Sequence, residues 1–373
     1  MTWNAVVARR LDRHGLAAPR DWTPADAVSA MCGAHAQVLS AAELSVGLRV
    51  PGATRTTVRE ALWEERSLVK TYGPRGTVHL FAARDLPMWT GALDSIPPVA
   101  NHFTPDVRMS PEQVDQVVAA IAEILKETEM TPDELTGEIV DRVGSWAGDL
   151  VMPAFQGFWP RWRQAISTAA NRGALCFGPN RGRKVTYTSP QRWLPGFEPM
   201  ADGMSELLRR YLHAYGPVTP QQFAQWLNAP RGWATGLFES LVDELEPVEV
   251  NGAKAWQLAG DTQEDATPGG VRLLPYFDAY TVGCHPRELV FPGKAFDRAL
   301  AAGQAGNFPV LLVDGAVSGV WHQKRSGRKL AITVEPIGKV ARKALEEQVE
   351  RVAAILEGTP TLTIGTVTVG AHA

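Results

Sequence analysis

The sequence predicts an α+β chain in which three tandem winged-helix modules precede a C-terminal β-barrel-like domain. Three observations carry that expectation. An order of helices followed by a tight hairpin occurs three times. Each copy contains a helix opened by Thr-Pro, at Thr23-Pro24, Thr131-Pro132 and Thr219-Pro220, where threonine caps the helix and proline fits its first turn. From Val271 onward the pattern changes to short β-branched runs separated by turns.

The first module, residues 1–108, begins with an amphipathic stretch from Val6 to Leu11 and the helix opened at Thr23-Pro24. A third helix is expected to be capped by the box Ser40-x-x-Glu43, and a fourth runs from Thr56 to Arg66. Its wing is the pair Leu68 to Tyr72 and Thr77 to Phe81, joined by Gly73-Pro74-Arg75-Gly76. The second module, residues 109–200, reads as helices Pro111 to Lys126, Pro132 to Val143 and Trp159 to Asn171, with a wing from Ala174 to Phe177 and Lys184 to Thr188. The third, residues 201–262, reads as helices Met204 to Tyr215, Pro220 to Leu227 and Ala234 to Leu245, followed by a hairpin turned by Asn251-Gly252, the preferred type I′ pair. Residues 263–373 read as strands Val271 to Leu274, Val310 to Val313, Ala316 to His322 and Lys329 to Val334. Helices are expected near Ala295 to Ala302 and from Lys339 to Leu356.

A helix-turn-helix with a wing is suited to lying on a duplex, although the same plan also serves protein interfaces. Net charge is only −3 in 373 residues, so bulk electrostatic coating of nucleic acid is disfavoured. The distribution is uneven. Basic side chains cluster at Arg172, Arg181, Arg183, Lys184 and Arg192 and again at Lys324, Arg325, Arg328 and Lys329, while acids gather at Glu239 to Glu249 and Asp261 to Asp265. Arg75, Arg181, Arg183 and Lys184 at wing tips, with Lys324, Arg325 and Arg328 on a C-terminal hairpin, are the candidate DNA contacts, because a phosphate is met by cations on projecting turns.

Cys32, Cys176 and Cys284 are far apart and form no paired-cysteine motif, so neither a disulfide framework nor a thiolate zinc site is expected. No metal or cofactor is expected. A membrane-length apolar run and a secretory leader pattern are not seen, which places the chain in the cytoplasm as an expectation. No heptad seam suggests dimerisation, so a monomer is expected. The sequence also lacks the nucleophile elbow, the phosphate-binding loop and His-Glu-x-x-His.

What remains is a connection. Ala34-His35-Ala36-Gln37-Val38-Leu39 lies between two helices, and in an extended chain residues two apart share a side. His35 and Gln37 therefore face one pocket while Ala36 faces the core. Taken alone, a His-x-Gln turn is better explained by polar groups satisfying the backbone than by catalysis.

Cys32-Gly33-Ala34-His35-Ala36-Gln37, the run Arg59 to Val69 with Arg75 to Leu80, and Leu274 to Tyr280 with Val313-Asp314-Gly315 together resemble the AlkZ/YcaQ family. These are winged-helix DNA glycosylases whose founding members unhook crosslinks and protect producers of DNA-alkylating antibiotics. The resemblance spans nearly the whole chain. It implies a C-shaped set of winged helices closed by a β-barrel, and catalytic roles for His35 and Gln37 as a His-x-Gln form of the family motif. The implied activity is monofunctional excision of alkylated purines from double-stranded DNA. His79, Asp278 and Tyr280 fall in family-like stretches and are candidate site-lining residues. The His-first motif departs from the Gln-first founder, so bulky N7-alkylguanine monoadducts stand beside crosslinks as expected substrates. The alternative is a non-catalytic winged-helix transcription regulator.

Overall fold

Thr2 caps α1 (Trp3–Arg13) through its hydroxyl, and Thr23 forms a reciprocal capping box with Asp26 at the start of α2 (Pro24–Ala30). The computed structural model describes residues 1–18, 20–98, 103–154, 157–262 and 267–372. Glu264 and Asp265 of the acidic run lie outside the described residues. The chain leaves α2 through β1 (Ala34–His35), forms α3 (Leu39–Gly47) and α4 (Arg55–Trp63), and enters the hairpin β2 (Leu68–Tyr72) and β3 (Val78–Ala82). β1 joins the hairpin as its third strand, in the order β1-β3-β2.

That pairing changes one expected cap. The Ala36 N–H donates to the Val78 carbonyl at 2.8 Å, which fixes where the chain leaves the sheet, and α3 starts at Leu39 with Val38 in the cap position. Ser40 therefore caps nothing. Glu43 turns inward instead and accepts from Arg59 at 2.6 Å.

After α5 (Leu86–Asp94), the second unit contains α6 (Pro111–Leu125) and α7 (Pro132–Val143), both opened by capping boxes. The expected helix from Trp159 is corrected. β4 (Leu150–Ala154) pairs with β5 (Gly157–Pro160), and only α8 (Ile166–Asn171) is α-helical. A proline pushes the preceding residue toward extended backbone, so Trp159 before Pro160 is drawn into a strand. The hairpin β6 (Cys176–Arg181) and β7 (Lys184–Thr188) completes the unit.

The third unit comprises α9 (Gly203–Tyr215), α10 (Pro220–Leu227), α11 (Arg231–Ser240) and the hairpin β8 (Leu245–Val250) and β9 (Ala253–Leu258). α11 begins before and ends earlier than the sequence pattern implies, because Leu245 belongs to β8. Asn251 and Gly252, both at positive φ, turn that hairpin.

β10 (Val271–Leu274) opens the C-terminal region, followed by the short helices α12 (Ala279–Gly283), α13 (Arg287–Val290) and α14 (Lys294–Ala299). Then come β11 (Val310–Val313), β12 (Ala316–Ser326), β13 (Lys329–Pro336), α15 (Arg342–Ile355) and β14 (Thr359–Ile364). Strand order is β10-β11-β12-β13-β14, and among the described residues no pairing joins the two edge strands. β14 runs parallel to β13 after the crossover through α15, and Pro360 is tolerated there because an edge strand need not use every N–H.

Burial explains why these units stay together. One core joins α1, α5, α9 and α10 to the C-terminal sheet and α15, through side chains such as Leu11, Trp89, Tyr215, Trp321 and Val352. A second core lies within the α6 to β7 unit around Ile121, Leu135, Trp162 and Tyr187, and a third beneath β1 and β3 around Val28, Ala36 and Leu80. Arg49 and Asp278, both fully buried, pair through two bonds of 2.9 Å and link the end of α3 to the cap of α12.

Candidate active site

Alternation along β1 sets the site. Ala34 and Ala36 are buried in the core, and His35 and Gln37 point to the opposite side, into a cavity of about 550 Å³. His35 lies opposite His79 in the β1–β3 register, with ring centroids 4.1 Å apart. His79 continues an aromatic column to Phe81, at 5.5 Å, and from Phe81 to Trp89, at 4.2 Å. The turn before the motif depends on Gly33. At φ +90° it adopts a backbone that side chains rarely allow, and a Cβ there would lie 2.6 Å from the Phe81 ring.

Hydrogen bonds fix protonation. His79 Nδ1 lies 2.9 Å from the Thr77 carbonyl, which only accepts, so Nδ1 carries the proton. Arg75 Nη2 lies 3.0 Å from His35 Nε2. A guanidinium only donates, so His35 Nε2 is the acceptor and a neutral His35 carries its proton on Nδ1. Burial, then His79, then the Arg75 charge push His35 well below its ordinary value of 6.5. Burial and Arg75 push His79 down to about 3. Both rings are neutral at pH 7. Gln37 is exposed and its Oε1 accepts from the Val78 N–H at 3.4 Å, which ties the amide to the hairpin.

The rest of the wall comes from distant segments. α10 supplies Gln225 and Trp226, and the Trp226 carbonyl accepts from Arg75 Nη1. Residues beyond β10 supply Phe277, Val282, His285, Arg287, Gln304, Asn307 and His372. Arg287 is fixed by donating to the carbonyls of Thr281, Val282 and Cys284 at the end of α12, and burial lowers it to about 10. His285 is neutral, pushed down to about 3 by burial and then by Arg287 and Arg10. Phe277 stood in a stretch that the sequence had singled out. Gln304 and Asn307 sit in an aperiodic loop and gave no signal.

Three sequence candidates sit elsewhere than expected. Asp278 is fully buried and does not line the cavity. It accepts from Arg49 and Ser45 and caps α12 through the Tyr280 N–H. Burial would raise its carboxyl, but Arg49 and those hydrogen bonds outweigh it and hold the group below 3.8. Tyr280 is equally buried and its hydroxyl donates to the Gly315 carbonyl at 2.9 Å. His79 stands behind His35 rather than in the cavity.

Arg75 is likewise not a projecting wing-tip cation, because its turn folds back against α10 and points the guanidinium into the cavity. Among the other candidate cations, Arg181 pairs with Glu134, and Lys184 pairs with Asp133 at 2.7 Å. Both pairs are exposed, hence weak and screened by salt. Arg183, Lys324 and Arg328 are exposed. Arg325 Nη1 donates to the Leu356 carbonyl at 2.7 Å, tying the β12–β13 tip to the end of α15. Among the described residues no group of His, Cys, Asp and Glu is arranged to hold a metal, and no helix is long and apolar enough to cross a membrane.

A family model described as DNA glycosylase AlkZ-like matches residues 28–355. An interstrand DNA cross-link repair glycosylase of Streptomyces sahachiroi is 31% identical over 369 residues, covering 94% of this chain and 96% of that relative. The solved structure of the Streptomyces sahachiroi DNA glycosylase AlkZ superposes with a TM-score of 0.80 at 30% identity, over 98% of this chain and 100% of that one. A match of this extent, with the mixed α+β architecture in common, means that the chain belongs to the AlkZ-like DNA glycosylase family.

Proposed function

We propose that this DNA glycosylase hydrolyses the N-glycosidic bond of purines alkylated at N7, its substrates being bulky N7-alkylguanine adducts of a genotoxic natural product, crosslinked adducts included. The observation that carries the reading is neutral His35 beside Gln37 in an open cavity whose lining, among the described residues, contains no carboxylate and no lysine side chain. An N7-alkylguanine is already cationic, so its departure needs little general acid. The enzyme's task is to place water and to take its proton. Water oxygen bonds to C1′ as one of its protons passes to a His35 ring nitrogen. The C1′–N9 electron pair leaves with the base and neutralises its charge. Gln37 orients the water through its amide. With no lysine among the described residues of the lining to form a Schiff base, the product is an intact abasic site, the monofunctional outcome.

An open cavity suits adducts too large to be flipped into a closed pocket. The relative's name, cross-link repair, supports extending the substrate range to crosslinks. We read the three helix–hairpin units as winged helices occupying 1–108, 109–200 and 201–262, with the β-rich region 263–373 closing the site. The enzyme works as a cytoplasmic monomer on double-stranded DNA, met by Arg183, Lys324 and Arg328, and by Arg181, Lys184 and Arg325 when phosphates displace their present partners.

The test is single-turnover release of N7-alkylguanine from a defined duplex by wild type, His35→Ala and Gln37→Ala. Loss of release by about 100-fold or more in His35→Ala, with folding and DNA binding intact, is the expected result for a positioned general base. Equal release by all three removes the motif from the chemistry.

A further inference from the structure

We infer that Arg75 is a positioning residue with two partners in turn: it latches His35 in the free protein, and a DNA phosphate draws it off when substrate binds. The inference rests on the reading of His35 as the group that takes a proton from water. In the free protein His35 cannot do so, because its Nε2 lone pair is taken by Arg75 at 3.0 Å and its Nδ1 holds a proton. The bond must open before the proposed step.

The surroundings say what opens it. The Arg75 guanidinium is half-buried against two uncharged acceptors, His35 Nε2 and the Trp226 carbonyl. Among the described residues no carboxylate contributes to its environment, and none lines the cavity it points into. A guanidinium held partly out of water with only neutral partners is costly, and an anionic phosphate offering two oxygens to its planar fork is a stronger partner than either. The backbone is arranged for this aim. Arg75 sits at φ +62°, a left-handed conformation unfavourable for a residue with a Cβ, between Pro74 and Gly76 in the turn that packs on α10. Other groups around His35 do not compete for the role. His79 is neutral and bound to Thr77, Arg287 is held by three carbonyls although its charge is felt by Arg75, His285 is neutral, and His372 packs on Phe277.

The latch is read from the titration midpoint of His35, followed by NMR in protein carrying isotope-labelled histidine and assigned with a His35→Asn variant. Wild type and Arg75→Gln are each measured free and bound to an undamaged duplex, with binding confirmed by anisotropy. The latch predicts that duplex raises the wild-type midpoint by about one pH unit or more, since a donor on the neutral lone pair and a nearby cation both leave. Free Arg75→Gln starts at the raised value and duplex adds little. An unmoved midpoint in duplex-bound wild type overturns the latch. So does an equal rise in both proteins, which would be the general field of DNA. An unmoved wild-type midpoint overturns the latch with no variant at all, and should Arg75→Gln misfold, Arg75→Met supplies the comparison that separates the latch from the general field of DNA. Neither arm depends on base release. Wild type that excises nothing defeats the glycosylase chemistry assigned to His35, whereas excision with an unmoved His35 defeats only the latch.

Discussion

Replacing Asp278 with asparagine separates a structural carboxylate from a catalytic one. In the native protein both oxygens of Asp278 accept from Arg49 at 2.9 Å, Ser45 adds a bond of 2.6 Å, and neither charged side chain touches solvent. Asparagine keeps the shape but removes the charge, so the Arg49 cation stays buried with a single amide oxygen to accept from it. Breaking a buried pair in this way costs about 3–5 kcal/mol, and in a chain of this size that corresponds to a fall in Tm on the order of 10 °C. The charged form of Asp278 is favoured in the folded state, its carboxyl being held below 3.8. Its stabilisation is therefore complete above pH 3.8 and disappears as pH falls below that value through the lowered folded one. Thermal unfolding of wild type, Asp278→Asn and the double variant Arg49→Met/Asp278→Leu is the assay. The double variant should recover part of the loss, because removing both charges leaves no buried ion unpaired. Single-turnover release by the folded fraction of Asp278→Asn should stay near wild type. A Tm unchanged within about 1 °C, against the fall expected for a broken buried pair, or a folded variant that excises nothing, would refute the assignment of Asp278 to the scaffold.

Gly33→Ala forces a side chain onto a φ of +90° and into the Phe81 ring, so it should cost about 1–3 kcal/mol and slow release by displacing β1, as read by urea unfolding and single turnover. The rate of release should be flat near pH 7 to 8 and fall with acid, because His35 acts as the free base and its burial, the largest cause of its depression below 6.5, remains after Arg75 leaves. A decline centred near pH 7 would contradict that environment. Stability should fall with acid over a broader range. His14, His79 and His285, each lowered to about 3 by burial foremost, bind fewer protons folded than unfolded between pH 6.5 and 3, and unfolding against pH measures that slope. Lys324→Ala and Arg328→Ala should each weaken duplex binding across sequences and lower the salt slope by about one if each meets a phosphate. An unchanged slope removes the β12–β13 tip from the DNA path.

The architecture was legible where local chemistry is strong. Thr23, Thr131 and Thr219 cap helices as their Thr-Pro steps imply, and Asn251-Gly252 turns the hairpin it predicts. The extended connection at Ala34 to Gln37 was also readable, because small apolar residues alternate there with polar ones. It misled where tertiary pairing decides. Ser40 lost its cap to the β1–β3 pairing, and Trp159 was drawn into a strand that has no alternating pattern of its own. Asp278 and Tyr280 looked like site residues because they stand in a family-like stretch, and only the folded structure shows their partners to be Arg49 and Gly315. Arg75 looked like a surface cation because turns usually project. The far wall at His285, Gln304 and Asn307 could not be read at all, since nothing in a one-dimensional pattern brings it to His35.

The two walls of the cavity are also separated in the order of synthesis. His35 and Gln37 leave the ribosome near the beginning of the chain, whereas Phe277, Asn307 and His372 come from its last hundred residues or so. The Arg49–Asp278 clasp spans the same interval. A nascent chain that has finished its third hairpin therefore carries the whole motif but only one side of its pocket, with Arg49 still waiting for its counter-ion. The cavity has both its sides only once Phe277, Asn307 and His372 are in place. A partly made or prematurely ended chain is thereby kept from meeting DNA with an assembled cavity.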